Sequence, residues 1–265
     1  MDTFAQFKQA QKEGWKNFAP LEAITTPAAA RLVQFAGVAK GMDVLDVGCG
    51  TGVVAITAAR LGARVKAADL TPQLLERARE NAQLAEVEIE FSEADVEELP
   101  FQSGEFDVVM SQFAHMFAPR ADVAIGEMLR VLRPGGMIAF STWPPEMLVG
   151  RTNAIAARFL PPPPPGVSSP MLWGDVSFVR QRLGDAVRDL VFDRGHLLVP
   201  ALSAPHFRMN IERSAGAIPK LVEGLAVSDP ERLREFRQEF DAVVTQYHRD
   251  NLVRQDYLMT RARKV

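Results

Sequence analysis

Short apolar runs alternate with longer mixed stretches along residues 40–143 of the chain. The runs DVLDV, RVKAADL, VEIEF, FDVVMSQ and MIAFSTW predict strands, and the stretches VVAITAARLG, TPQLLERARENAQLA and ADVAIGEMLRVLRPGG predict helices. Strands that alternate with helices indicate right-handed crossovers. The pattern therefore predicts an α/β fold built on a parallel, doubly wound sheet.

Capping residues, prolines and glycines mark the ends of the predicted helices. Residues 3–19 are polar with spaced aromatic side chains and predict a first helix. A second helix is predicted in TPAAARLVQFAGV, with Thr26 as its N-cap, Pro27 in its first turn and Gly37 at its end. Residues 1–39 would then form an N-terminal helical cap. Similar signals bound the later helices at Gly62, Thr71, Pro72 and Pro134.

The remainder of the chain is less regular. MLVGRTNAIAARFL predicts a helix, but the five successive prolines that follow cannot continue it. Residues 144–174 are either a disordered linker or an ordered proline-rich loop over a cleft, and the apolar MLWGD segment favours the loop. VSFVRQRLGDA then predicts a helix, VRDLVFDRGHLLVP a strand, and QDYLMTRARKV a closing strand.

Residues 203–248 carry an apolar face at helical spacing. This face consists of Leu233, Phe236, Phe240, Val243 and Tyr247. If the closing strand pairs beside the preceding one, residues 203–250 are a helical insertion, and residues 1–265 form a single domain.

Composition limits the classes of function. The chain is 47% hydrophobic and 24% charged, with a net charge of −3, which argues against a nucleic-acid groove. The only cysteine, Cys49, leaves no partner for an intramolecular disulfide and no cysteine-based zinc site. No signal peptide and no membrane-spanning run is visible. We therefore expect a soluble, cytoplasmic protein without a metal, and homodimerisation stays an open alternative.

The most specific chemistry lies in VLDVGCGTG, which joins a predicted strand to a predicted helix. Gly48, Gly50 and Gly52 follow a Gly-x-Gly-x-Gly spacing, unlike the Gly-x-Gly-x-x-Gly spacing of dinucleotide sites, and Val53 stands where the latter needs glycine. Asp46 lies two residues before the first glycine. Its carboxylate would repel a pyrophosphate but suits a ligand that carries an ammonium group.

Two further acids lie at the ends of the next strands. Asp69 follows Gly50 by 69 − 50 = 19 residues, the separation at which an acid accepts hydrogen bonds from ribose hydroxyls. Asp95, in EADVEELPF, is placed to accept a hydrogen bond from an adenine amino group. Together these positions predict a site for an adenosine-containing ligand with an ammonium group.

Taken together, VLDVGCGTG, AADLTPQLLERARE, SEADVEELPF, FDVVMSQF and EMLRVLRPGGMIAFSTW resemble the motifs of class I S-adenosylmethionine-dependent methyltransferases. The N-terminal GWKNFAP and the FLPPPPPGVSSPMLWGD stretch resemble the small-molecule branch near the ubiquinone and menaquinone biosynthesis methyltransferases. This resemblance implies a mostly parallel, seven-stranded Rossmann-like sheet with an antiparallel last strand, preceded by a helical insertion that forms a lid. It also implies S-adenosyl-L-methionine as cofactor and S-adenosyl-L-homocysteine as product. The implied cofactor-binding residues are Asp46, Gly48, Cys49, Gly50, Gly52, Asp69, Leu70, Asp95, Val96, Ser111 and Gln112.

The acceptor site is predicted in VVMSQFAHMFAPRAD, after the fourth strand. His115 is the candidate general base, although a sulfonium methyl can be transferred without one, and a role in pocket shape is favoured. Other residues are expected to line an apolar acceptor pocket, namely Phe113, Met116, Phe117, Trp15, Phe18 and His206.

The resemblance favours a methyltransferase that acts on a small, apolar or aromatic acceptor. A non-catalytic cofactor-binding protein of the same fold, acting as a regulator or partner, is the alternative. A nicotinamide oxidoreductase is disfavoured by the glycine spacing and Asp46. Methylation of nucleic-acid amino groups is disfavoured because SQFA lacks the Asn/Asp-Pro-Pro-aromatic sequence of amino-methylating enzymes. Covalent methylation of cytosine is disfavoured because it needs a cysteine nucleophile, and the only cysteine, Cys49, lies in the glycine turn.

Overall fold

A single open sheet organises the chain in the computed structural model, which describes residues 3–265. Its main path runs β3-β2-β1-β4-β5-β8-β6, and the short β7 pairs with β8. The strands are β1 Asp43–Val47, β2 Arg64–Asp69, β3 Glu90–Glu93, β4 Phe106–Gln112, β5 Leu132–Thr142, β6 Val187–Pro200, β7 His248–Arg249 and β8 Leu252–Lys264.

One strand, β8, runs opposite to its neighbours in the sheet. The strands β1 to β5 pair in parallel, whereas β8 runs antiparallel between β5 and β6. The expected doubly wound sheet with an antiparallel last strand is thus confirmed. The expected count of seven strands is corrected to eight, because His248 and Arg249 form a two-residue strand that pairs with Val253 and Leu252.

The helices connect these strands and pack on both faces of the sheet. They are α1 Thr3–Trp15, α2 Glu22–Ala36, α3 Val53–Arg60, α4 Pro72–Leu84, α5 Ala121–Val131, α6 Leu148–Phe159, α7 Val176–Leu183, α8 Ala204–Ser214, α9 Ile218–Ser228 and α10 Pro230–Thr245. No helix within residues 3–265 combines the length and the apolar composition needed to cross a membrane.

Alternating side chains of the central strands supply two separate cores. Val44 and Val108 belong to a cluster on one face of the sheet, and Leu45 and Val109 belong to a cluster on the other face. All four are buried, because neighbouring residues of a strand point to opposite faces and helices cover both faces of this sheet. This packing fixes the carboxyl ends of β1, β2 and β4 at one edge of the molecule.

A third cluster holds the C-terminal helices. Phe236 of α10 is fully buried and packs with Phe159 of α6 at a ring distance of 5.5 Å. The same cluster includes Val199 of β6 and Val253 of β8. The three helices between β6 and β7 therefore pack against the antiparallel end of the sheet.

Several helices are shorter than predicted, for example α1, which ends at Trp15, and α7, which ends at Leu183. The start of α2 and the end of α5 differ for clear structural reasons. α2 begins at Glu22, so Thr26 is not its N-cap and its hydroxyl donates to Glu22 O at 2.8 Å. A 3₁₀ turn over Ala19–Leu21 already starts the helical path, which places Pro27 inside the helix. α5 ends at Val131, before Pro134, because Leu132 pairs with Phe106 in the sheet.

Candidate active site

A cavity of about 200 Å³ lies at the carboxyl ends of β1, β2 and β4. Ligands bind at this edge of open α/β sheets, because the loops that leave the strands there splay apart. The lining residues fall into two groups, one formed by the glycine turn and acids and the other by aromatic rings. We refer to these two groups as the polar end and the aromatic end.

The glycine turn forms the floor of the polar end. Gly48, Gly50 and Gly52 have φ values of 66°, 54° and 83°, in the left-handed region that favours glycine. A Cβ on Gly48 would lie 2.3 Å from the Cβ of Ala114, and one on Gly52 would lie 3.2 Å from the Cβ of Ala78. Gly48 and Gly52 thus allow close packing, whereas a Cβ on Gly50 would meet nothing within 4 Å. Gly50 leaves the backbone open for a ligand.

Two buried acceptor atoms at the polar end lack partners. Asp46 Oδ2 accepts from the backbone N–H of Ala55 at 3.0 Å, but Oδ1 has no hydrogen-bond partner within the described chain. Gln112 donates through Nε2 to Thr25 O at 3.1 Å, and its Oε1 is likewise unpaired among residues 3–265. Burial raises the pKa of Asp46 to about 7, and the charge of Asp69 adds to the rise. A cationic donor in this cavity would satisfy both oxygens.

Asp69 is held at the end of β2 by backbone donors. Its two carboxylate oxygens accept from Gly50 N and Thr71 N, each at 2.8 Å. Burial nevertheless raises the pKa of Asp69, and these donors only partly oppose the rise. The carboxylate is therefore fixed in orientation between the glycine turn and α4, with Leu70 beside it in the cavity wall.

Asp95 and Val96 line the cavity on the side of β3. Asp95 Oδ1 accepts from Glu97 N at 2.9 Å, and its Oδ2 lies 2.5 Å from Lys8 Nζ of α1. The contact with Lys8 was not anticipated from the sequence. It shows that α1 reaches the polar end of the cavity.

The aromatic end is assembled from distant parts of the chain. Phe113 and Trp143 stack with ring centroids 3.8 Å apart at an interplanar angle of 11°. Trp15 packs edge-on against Phe117 at 5.0 Å and against Phe18 at 5.7 Å. All five rings line the cavity and present an apolar wall to a ligand. Trp143 was not singled out from the sequence, although it directly follows the β5 run.

Phe113 has a φ of 56°, which is unfavourable for a residue with a side chain. Its N–H donates to Ser141 O at 2.9 Å, and its ring also meets the edge of Tyr257 at 5.5 Å. These contacts with β5 and β8 offset the backbone strain and hold the ring in place.

His115 is buried beneath the aromatic end. Its ring lies 4.5 Å from that of Phe140 and 4.9 Å from that of Trp173, and neither ring nitrogen has a hydrogen-bond partner among the described residues. Burial lowers the pKa of His115 to about 3, so the imidazole is neutral and weakly basic at neutral pH. The side chain borders the cavity among aromatic neighbours.

The structure does not bring every predicted site residue to the cavity wall. Ser111 is buried behind it, where its Oγ accepts from His115 N at 3.1 Å, and Met116 packs into the core. His206 lies at the start of α8, where Nδ1 accepts from Leu202 N at 3.1 Å. Gly52 packs on α4, as described above. None of these four belongs to the lining of the cavity.

Cys49 lines the cavity but is buried, and burial raises the pKa of its thiol above the usual value. A neutral thiol is a poor nucleophile, so its contribution is through the backbone of the turn. In the part of the chain that the structure describes, no three His, Cys, Asp or Glu side chains cluster as metal ligands.

The sequence is similar to methyltransferases and to uncharacterized bacterial proteins. A family profile described as "Methyltransferase domain" matches residues 44–136. An uncharacterized protein of Mycobacterium tuberculosis is 36% identical over 244 residues, which cover 92% of this chain and 89% of the relative. A ubiquinone biosynthesis O-methyltransferase of Xanthomonas oryzae is 41% identical over 105 residues, or 38% of this chain and 43% of that protein.

The fold is also shared with solved structures. A crystal structure from Bacillus halodurans, described as that of a methyltransferase, superposes with a TM-score of 0.61 at 21% identity. The superposition covers 90% of this chain and 99% of the other. At that identity the likeness concerns the fold alone.

Proposed function

Since the chain belongs to the methyltransferase family, we propose that it transfers the methyl group of S-adenosyl-L-methionine to a small, apolar or aromatic acceptor. The observation that carries this proposal is the pair of buried, unpaired acceptors at the polar end, Asp46 Oδ1 and Gln112 Oε1. A buried acceptor without a partner is costly, and a cationic ligand removes that cost.

The residues of the polar end fit the parts of this cofactor. Asp46 and Gln112 suit its ammonium group, and the open backbone at Gly50 admits its amino-acid portion. Asp69 is oriented to accept from ribose hydroxyls, and Leu70 to pack on the adenine. When bound, the cofactor supplies a sulfonium methyl that is already activated for displacement.

The aromatic end supports an apolar acceptor. The five rings that line it exclude water, which strengthens positioning and electrostatic effects in the site. The charged side chains that line the cavity are three acids and two lysines, and none of them belongs to the aromatic end. The aromatic end therefore favours an acceptor that is planar and carries no net charge.

His115 shapes this end of the site in our proposal. A base with a pKa of about 3 removes a proton poorly at neutral pH, because the ideal catalytic pKa lies near the working pH. Its close contacts with Phe140 and Trp173 make the ring part of the pocket wall.

We further propose that residues 1–265 act as one domain with residues 1–39 as a helical cap. The residues of 144–174 and 203–250 do not line the cavity in the described chain. Their expected role over the acceptor site therefore stays a prediction, for which a structure with acceptor bound is the test.

Calorimetry with S-adenosyl-L-methionine tests the cofactor assignment. We expect Asp69→Ala to weaken binding by at least about 100-fold, because buried hydrogen bonds to a charged group contribute about 1.5–3 kcal/mol each. Asp185→Ala is the matched control, since Asp185 is an exposed carboxylate outside the cavity. Equal affinities for the parent and Asp69→Ala would refute the assignment of Asp69.

Turnover tests the catalytic part of the proposal. Labelled cofactor should yield a methylated product with at least one neutral aromatic compound from a small-molecule panel. Cofactor binding without turnover across neutral, anionic and cationic acceptors would favour the non-catalytic alternative.

A further inference from the structure

One face of α1 lies across the cavity. Lys8, Gln11, Lys12 and Trp15 all line it, and their spacing of three and four residues puts them on the same side of a helix. A rise of about 1.5 Å per residue separates Lys8 from Trp15 by roughly 10 Å along the axis. One rigid element thus contacts both the polar end and the aromatic end.

Polar contacts attach this face to two loops of the sheet. Lys8 Nζ lies 2.5 Å from Asp95 Oδ2 and also pairs with Glu97, in the loop after β3. Lys12 pairs with Glu93 at the end of β3. Gln11 Nε2 donates to Phe117 O at 2.8 Å, in the loop after β4.

Glu97 makes the contact with Lys8 stronger than a surface ion pair. Its side chain is fully buried, and it also accepts from Arg120 N at 2.6 Å and from Arg120 Nε at 2.7 Å. Removing one cation from a buried carboxylate costs more than removing one partner of an exposed pair. Of the two lysines on this face, Lys8 is thus the one that pairs with a fully buried carboxylate, whereas Glu93, the partner of Lys12, is half exposed.

Trp15 links the position of α1 to the aromatic end of the cavity. It contacts Phe117 and Phe18, and Gly14 next to it packs against the backbone of Gly216. A shift of α1 away from Asp95 therefore displaces a ring of the aromatic wall.

We propose that Lys8 is a positioning residue that couples the two ends of the cavity. The ion pairs of Lys8 with Asp95 and Glu97 hold α1 over the bound cofactor, and the same helix sets Trp15 in the acceptor wall. This inference rests on the proposed function for the identity of the cofactor. It adds that an acceptor-side residue is ordered by contacts at the adenine side.

The test compares Lys8→Met with Lys16→Met. Methionine keeps the length and helix propensity of lysine but removes the charge. Lys16 is exposed and pairs with Glu13 on the outside of the cap, so its variant controls for a lost lysine in the same segment. Lys8→Arg retains the charge and should behave as the parent.

Two readouts are measured, namely the dissociation rate of S-adenosyl-L-homocysteine by stopped flow and the hydrogen exchange of the bound protein. For Lys8→Met we expect dissociation to be about fivefold faster, equal to about 1 kcal/mol at 1.36 kcal/mol per decade. We also expect faster exchange in residues 3–18 and in residues 113–119. Lys16→Met should match the parent in both readouts.

The possible outcomes separate this inference from the proposed function. If the parent binds neither cofactor nor product, the proposed function falls and the inference falls with it. If the parent binds and Lys8→Met shows unchanged dissociation and exchange, the inference alone is overturned. Faster exchange confined to residues 3–18 would refute the coupling to the acceptor side.

Discussion

The two ends of the cavity are built from the chain in different ways. At the polar end, the glycine turn and Asp46 come from one short stretch, and Asp69 and Asp95 follow at the next strand ends. At the aromatic end, the rings come from α1, the segment after it, the loop after β4 and the end of β5. The polar end is thus constrained by local backbone geometry, and the aromatic end by tertiary packing.

This difference in construction indicates which end of the cavity tolerates amino-acid substitutions. Each polar-end residue has a defined backbone contact, whereas an aromatic wall can be rebuilt from other rings of similar volume. We therefore expect substitutions at the polar end to affect cofactor binding and stability strongly. Substitutions at the aromatic end should change acceptor preference and leave cofactor affinity nearly intact.

The largest effect on stability is expected from Gly48→Ala. An alanine there would place its Cβ 2.3 Å from the Cβ of Ala114, where the glycine turn meets the loop after β4. Gly37→Ala is the matched control, because Gly37 has a similar φ of 72° but a Cβ added there would meet no atom within 4 Å. Overpacking costs about 1–3 kcal/mol beyond the strain that both variants share.

Chemical denaturation measures this difference. We expect Gly48→Ala to be less stable than Gly37→Ala by about 2 kcal/mol, as overpacking of this kind typically costs, and to bind the cofactor more weakly. Equal stabilities would show that the two loops at this position move apart without cost.

The contributions of the two ends to the free energy of unfolding should also depend on pH with opposite signs. Burial raises the folded-state pKa of Asp46 to about 7, so its contribution to stability is present at low pH and is lost as the pH rises through 7. Burial lowers that of His115 to about 3 from an unfolded value of 6.5. Its contribution is present above pH 6.5 and is lost as the pH falls. From pH 7 to pH 5 each contributes about 2 kcal/mol, with opposite sign.

Variants separate the two contributions. We expect the unfolding free energy of His115→Leu to rise from pH 7 to pH 5 relative to the parent, and that of Asp46→Asn to fall. Urea denaturation at the two pH values gives both slopes. The same slope in both variants would mean that these two groups do not titrate as described.

The opposite pH dependences of Asp46 and His115 arise from the burial of both side chains. The sequence predicts some of the contacts in the site but not others. The parallel pairing of β1 to β5 and the positions of Asp46, Asp69 and Asp95 near strand ends were predictable, because local motifs and strand–helix alternation specify them. The contacts of Lys8 and Trp143 were not, since each depends on how distant segments pack. Positions 8, 11, 12 and 15 lie on one face of α1, and their spacing does not specify what that face contacts.

Some predicted residues also lie outside the cavity for physical reasons. Ser111 is on β4, where side chains alternate between faces, and its hydroxyl points to the backbone of His115. His206 serves the N-terminal turn of α8 by accepting from Leu202 N. The short strand β7 had no sequence signal because two residues are too few to show a period.

A smaller effect is expected on cofactor affinity as the pH changes. A cationic ligand favours the ionised form of Asp46, so binding should strengthen as this group deprotonates. We expect the affinity for S-adenosyl-L-methionine to rise about 15-fold from pH 5.5 to pH 7, as one coupled proton with a pKa near 7 requires. Isothermal titration in two buffers of different ionisation enthalpy also counts the released proton. A similar rise in Asp46→Asn would assign the titration to another group.

The smallest effect is expected from His115→Gln, which tests whether the aromatic end needs a base. Glutamine keeps a polar side chain of moderate size in the pocket wall but cannot take up a proton near neutral pH. Because the neutral imidazole is a weak base with a pKa of about 3, we expect turnover of the acceptor found in the panel to fall by less than about tenfold.

Loss of a general base typically costs about 10²–10⁴ in rate. Initial rates at saturating cofactor, well below the unfolding temperature of the variant, distinguish the two ranges. A loss within the larger range, with cofactor affinity unchanged, would mean that bound acceptor raises the basicity of His115 and that the aromatic end performs proton transfer as well as positioning.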